Sequence, residues 1–124
     1  MSDEKDIYDK VVNPFFQDLL KGKIDETFIQ PETSLTVKNS VQEGLFKEGK
    51  IILTEYRLGP IYVSGKTARA RIKMVSGKGI ASGNIYFINQ KNNWVISDIE
   101  IDYNDFSEEQ KKEGVFSPAS LSTF

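Results

Sequence analysis

The chain has 124 residues, 39% of them hydrophobic and 27% charged, with a net charge of −2. That is one domain, 1–124, able to bury about two thirds of its unfolded surface without a staple; the balance excludes a disordered chain and any electrostatic pull toward nucleic acid or an anionic membrane. Cysteine and histidine are both absent, which removes disulfides, thiolate chemistry, the commonest general base, the commonest transition-metal ligand and the usual switch near neutral pH.

The opening residues Met1–Asp6 are polar and acidic and do not resemble a targeting segment. No apolar run approaches the ~18 residues of a membrane helix, so no direct membrane insertion is expected. With Met1 as the true start the chain is expected in the cytoplasm; a trimmed chain would have lost any export signal.

Residues 6–21 predict an amphipathic helix, with Ile7, Val11, Val12, Phe15, Phe16, Leu19 and Leu20 at three- and four-residue spacings. Gly22 is its stop. Pro14 removes one backbone bond and crowds the preceding turn. Either the helix kinks there or Asn13 caps a new one; the apolar stripe keeps its phase through the proline, which favours one kinked helix. Lys23–Gln30 predicts a short second helix burying Ile24, Phe28 and Ile29, ended by Pro31. Thr33–Lys47 gives a broken helical pattern through Leu35, Val37, Val41, Leu45 and Phe46.

Alternation then replaces the helical period. Lys50–Leu58 predicts a strand with Ile52, Thr54, Tyr56 and Leu58 on one side and Ile51, Leu53, Glu55 and Arg57 on the other. Gly59-Pro60 breaks it, Ile61-Tyr62-Val63 resumes it and Ser64-Gly65 turns the chain. Lys66–Ser76 is the cleanest strand, with Ala68, Ala70, Ile72 and Met74 facing one way and Thr67, Arg69, Arg71 and Lys73 the other. Ile80–Gln90 and Asn93–Asp102 complete an antiparallel meander, with turns at Ser76–Gly79 and Asn89–Asn93. Gly83 is a natural site for a bulge or bend. In the last strand Val95, Ile99 and Ile101 share a parity while Trp94 and Ile96 take the other, so either both faces are covered or a bulge intervenes. Ser107–Gln110 has capping-box spacing for a short helix to about Glu113. The tail 115–124 carries Phe116, Leu121 and Phe124, expected to dock on the sheet or on another subunit.

This order of elements, with Pro14-Phe15-Phe16-Gln17-Asp18-Leu19-Leu20-Lys21-Gly22-Lys23 in the first helix and Lys91-Asn92-Asn93-Trp94-Val95-Ile96 at the last hairpin, resembles the nuclear transport factor two-like (cystatin-like) superfamily over about residues 6–102. The resemblance implies an α+β fold: N-terminal helices packed into the concave side of a curved antiparallel sheet of about four strands, cone-shaped. It also implies small-molecule pockets, bacterial exported or assembly domains, frequent dimers through the sheet, and in a minority isomerases or dehydratases. Enzymatic members pair Asp with His or Tyr in the cavity; this chain has no histidine, which sets the His-dependent activities aside.

Asp98, Glu100 and Asp102 with Tyr56, Tyr86 and Tyr103 are the remaining acid/base candidates. Asp98 with Tyr86 is the pair for an alternative enzyme reading. The simpler reading is a solvated polar face of the last strand. Glu32, Asp98, Glu100, Asp102 and Asp105 offer oxygen ligands, but no calcium-loop spacing is present, and no metal or cofactor is expected. Gly77-Lys78-Gly79…Gly83 lies between strands and opens no helix, so it is hairpin chemistry. Arg69, Arg71 and Lys73 form a basic stripe whose expected partners are acids across the sheet, such as Asp98 or Glu100, rather than nucleic acid. Phe15, Phe16 and Trp94 read as core, with one of the two phenylalanines free to face a pocket or partner. The leading expectation is a non-catalytic binding or assembly module for a protein partner or an apolar small molecule, with homodimerisation through the sheet. Phe16, Leu20, Phe28, Tyr56, Met74 and Trp94 are the expected pocket lining. A carboxylate–tyrosine isomerase or dehydratase, and an extracytoplasmic domain of a bacterial envelope or secretion assembly, are the alternatives.

Overall fold

The computed structural model describes residues 3–47, 50–51, 53–76 and 79–102. Ile52, the Gly77-Lys78 turn, the helix expected after Ser107 and the tail 115–124 lie outside the described residues. The fold is α+β, with helices on one face of an open five-stranded antiparallel sheet.

The first helix is continuous, as the unbroken stripe requires. It runs through α1 (Asp3–Ile7), a π-helical turn (Tyr8–Val12) and α2 (Asn13–Leu20), and the junction residues Ile7, Val12 and Asn13 all keep helical dihedrals. An α-turn here would press the Pro14 ring against the carbonyl four residues back. The π-turn widens the coil instead, and the Asn13 N–H donates to the Tyr8 carbonyl five residues back. Gly22, at φ 83, ends the helix. Its N–H donates to Leu19 O and that of Lys23 to Asp18 O, both at 2.9 Å, the paired bonds of a Schellman motif.

The expected second helix at Lys23–Gln30 is not formed. One 3-10 turn, Glu26–Phe28, stands there, because the Asp25 carboxylate takes the Thr27 N–H (3.0 Å) and hydroxyl (2.6 Å). The segment then runs extended: Ile29 bridges Ile96 in parallel and the Gln30 N–H donates to Ile96 O at 2.8 Å. A second 3-10 turn (Pro31–Thr33) leads into α3 (Ser34–Leu45). Val37 and Val41 are buried one turn apart, whereas Leu35, expected inside, is 70% exposed.

Beyond α3, β1 (Phe46–Lys47) pairs antiparallel with β2 (Lys50–Ile51), the opening of the strand expected at Lys50–Leu58. Its remainder is β3 (Leu53–Leu58). A register shift between Leu53 and Glu55 turns Leu53 to the Tyr56 side, opposite to the alternation read from sequence, and buries it. β4 (Tyr62–Ser64), β5 (Thr67–Ser76), β6 (Gly79–Gln90) and β7 (Asn93–Asp102) follow. The order is β3-β5-β6-β7, with β4 also paired to β5, so β3 and β4 share one side of that strand.

The core lies between this helix and the inner face of the sheet. Ile7, Val11, Val12, Phe15, Phe16 and Leu19 meet Ala68, Ala70, Ile72, Met74, Ile85, Phe87, Ile96 and Ile99 in one buried cluster. Both phenylalanines are fully buried. Their rings meet edge to face at 5.2 Å, and Phe16 stacks on Tyr56 at 4.5 Å.

Gly83 sits between Ile72 and Ile101 in an unshifted register, so it marks a close approach rather than a bulge. A Cβ there would fall inside contact of the Glu100 carbonyl and the Ile101 backbone. Gly83→Ala is expected to cost about 1–3 kcal/mol, read as a lower urea midpoint at unchanged slope; an unchanged midpoint would contradict the close approach. At the other end, Lys91 (φ 52) and Asn92 (φ 67) form a two-residue hairpin loop with both residues left-handed. Changing the pair to Asn-Gly is expected to raise stability by about 1 kcal/mol, seen as a melting temperature several degrees higher.

Candidate functional site

The pleat that buries Ala68, Ala70, Ile72 and Met74 turns Arg69, Arg71 and Lys73 to the face away from the helices. The register carries this outward set across four strands. Tyr62 pairs with Arg69, Arg69 with Tyr86, and Tyr86 with Asp98, giving one transverse row Tyr62–Arg69–Tyr86–Asp98. The next row is Arg71–Asn84–Glu100.

Asp98 reaches this face through a bulge. Ile96 and Asp98 have the same parity, so an unbroken strand would point both inward. The register shift between Tyr86 and Phe87 leaves Ser97 as an extra residue. Ile96 and Ile99 then both enter the core while Asp98 pairs with the outward Tyr86. Of the two solutions the parity conflict allowed, the structure takes the bulge. Asp98 Oδ1 accepts the Ile99 N–H beside it at 2.9 Å.

A groove of about 540 Å³ opens along the row, with Tyr62, Ser64, Arg69, Tyr86, Ser97, Asp98 and Glu100 in its lining. Tyr62 is 61% exposed, and the Arg69 guanidinium carbon lies 5.9 Å from its ring centroid. The Tyr86 hydroxyl donates to the Glu100 carboxylate, its diagonal neighbour. That bond, then burial and the charges of Glu100 and Asp98, raise the Tyr86 phenol above its ordinary value near 10, with Arg69 opposing. At neutral pH Tyr86 is therefore a hydrogen-bond donor and not a base.

The basic stripe does not lie beside the acids expected to pair with it. β6 separates β5 from β7, and Arg71 instead donates to Asn84 Oδ1 at 3.3 Å. The six residues expected to line a pocket are placed on the helix side. Phe16 and Met74 are core, and Leu20, Phe28, Tyr56 and Trp94 pack partly buried against it. Burial, then Tyr8, raises the Tyr56 phenol, and Gln17 opposes. None of the six is in the lining of the outer groove. Asp98 and Tyr86, the expected acid/base pair, are brought together there as cross-strand neighbours. Tyr62 is not among the residues expected from sequence, although a turn at Gly65-Lys66 pairs Ser64 with Thr67 and so, counting outward, Tyr62 with Arg69.

Among the described residues no cluster of acids is arranged to hold a metal ion, and no helix is long and apolar enough to cross a membrane. Compared with protein-family models, with curated proteins and with solved structures, the chain matches none.

Glu100→Gln removes the acceptor charge that holds the Tyr86 proton. The expected outcome is a Tyr86 titration moved down toward 10, followed by its ring carbon resonance through an alkaline series; no movement would show that Glu100 is not its partner.

Proposed function

We propose that this chain is a non-catalytic binding module of the nuclear transport factor two-like type, which takes a protein partner on the outer face of its sheet. One observation carries the reading: an exposed tyrosine, Tyr62, held under the Arg69 guanidinium at the rim of a groove, on the side the helices leave uncovered. Tyrosine and arginine are the side chains that most often anchor protein interfaces. The helix order and the covered inner face support the fold assignment. The lining joins a cation, carboxylates and hydroxyls to the apolar Val63, Ala68, Phe87 and Ile88, a mixture that a peptide's backbone and side chains match better than a wholly apolar small molecule does.

A second reading, acid/base catalysis, has the adjacency of Asp98 and Tyr86 in its favour. Against it stand the open setting of the groove and the engagement of the Asp98 carboxylate by the Ile99 N–H. General-base work draws on a carboxylate enclosed in apolar surroundings.

The test is a photo-crosslinking phenylalanine analogue at Tyr62 in the full chain, irradiated in its native cells. A discrete protein adduct is expected, lost when Arg69→Ala is added, and not formed from the analogue placed at exposed Asp9 on the helix. An adduct of twice the chain mass identifies a second copy as the partner. Adducts from position 9 and none from 62 would place the binding surface elsewhere.

A further inference from the structure

Resting on that reading, we infer that the segment recognised on the outer face is a polyproline II strand carrying an acidic and a basic side chain three residues apart. It lies across the strands, its acid on Arg69 and its base on Asp98 and Glu100.

The charge layout sets the spacing. Arg69 is on β5, Asp98 and Glu100 are on β7, and β6 between them presents the neutral Tyr86 and Asn84. Neighbouring strands are about 4.8 Å apart, so cation and carboxylates stand roughly 9–10 Å apart at the backbone. A polyproline II strand returns to the same face every third residue, after about 9.3 Å. A β-strand returns after about 6.6 or 13 Å and fits the span poorly. An α-helix matches it only over two turns, with a full turn of residues between the two charged side chains that the row does not engage.

The aromatics point the same way. Tyr62 and Tyr86 stand two strands apart in the same row as the charges. Arg69 stands between them, so the cation and the two rings form one continuous row; aromatic-lined grooves are how proteins hold polyproline II segments, whose stiffness lowers the entropy cost of docking. Such a segment has no internal hydrogen bonds, so its carbonyls need donors; Ser64 and Ser97 bring hydroxyls to the lining. The charges on the wall then select between proline-rich segments by complementarity.

The experiment uses the isotopically labelled full chain and capped Glu-Pro-Pro-Lys, Glu-Pro-Pro-Glu, Lys-Pro-Pro-Lys and Glu-Gly-Gly-Lys peptides, followed by amide shifts. Glu-Pro-Pro-Lys is expected to move the amides of Tyr62, Arg69, Tyr86 and Asp98. The two like-charged peptides are expected to bind about fivefold more weakly or worse, and the glycine peptide more weakly as well. Arg69→Glu, its fold checked by the dispersion of the same spectrum, is expected to reverse the order in favour of Lys-Pro-Pro-Lys. Equal binding of all four, shifts confined to other surfaces, an unchanged order in Arg69→Glu, or no shifts at millimolar peptide would each overturn the inference. With the Tyr62 cross-link retained, only the peptide class falls; with the cross-link also lost, the binding face falls with it.

Discussion

Burial of the first helix on the sheet governs everything else in this molecule. Phe15, Phe16 and Leu19 are removed from water against the inward positions of β5, β6 and β7. Each buried aromatic contributes on the order of 2–3 kcal/mol, comparable with a sizeable part of the net stability of a small domain. Because strand side chains alternate, fixing Ala68, Ala70, Ile72 and Met74 inward leaves no choice for Arg69, Arg71 and Lys73. The outer row is thus a by-product of core packing, and its register is as firmly held as the core itself.

Two irregularities reconcile local sequence with that packing. The π-turn at Tyr8–Val12 lets a proline sit in a helix without rotating the apolar stripe away from the sheet. The extra residue at Ser97 lets Ile96 and Ile99 both face inward. Each absorbs one conflict between composition and period in a few residues, and neither disturbs the elements on either side. The second also brings Asp98 out beside Tyr86, so the feature that completes the core also completes the groove.

The meander, the continuous first helix and its Gly22 stop were legible because each rests on a long periodic pattern or on strong turn chemistry. The stretch at Lys23–Gln30 was not, since its apolar residues suit a helix while Asp25 and Thr27 satisfy each other locally and remove the need for one. Leu53 was assigned to the wrong side because a register shift has no signature in alternation alone. The candidate site was half legible. Tyr86 and Asp98 could be named as polar residues of the right strands, and Arg69 as part of a stripe. Their meeting with Tyr62 depends on which residues oppose one another across three strand pairs, which follows from turn lengths and bulges rather than from residue type.

One lateral border of the sheet is interrupted at Gly59-Pro60, where β3 gives way to β4; the other is met at Ile96 by Ile29 and Gln30. The stepped margin denies a foreign strand a long run of free amides to pair with. Copies of this chain are therefore discouraged from zipping side by side along that border.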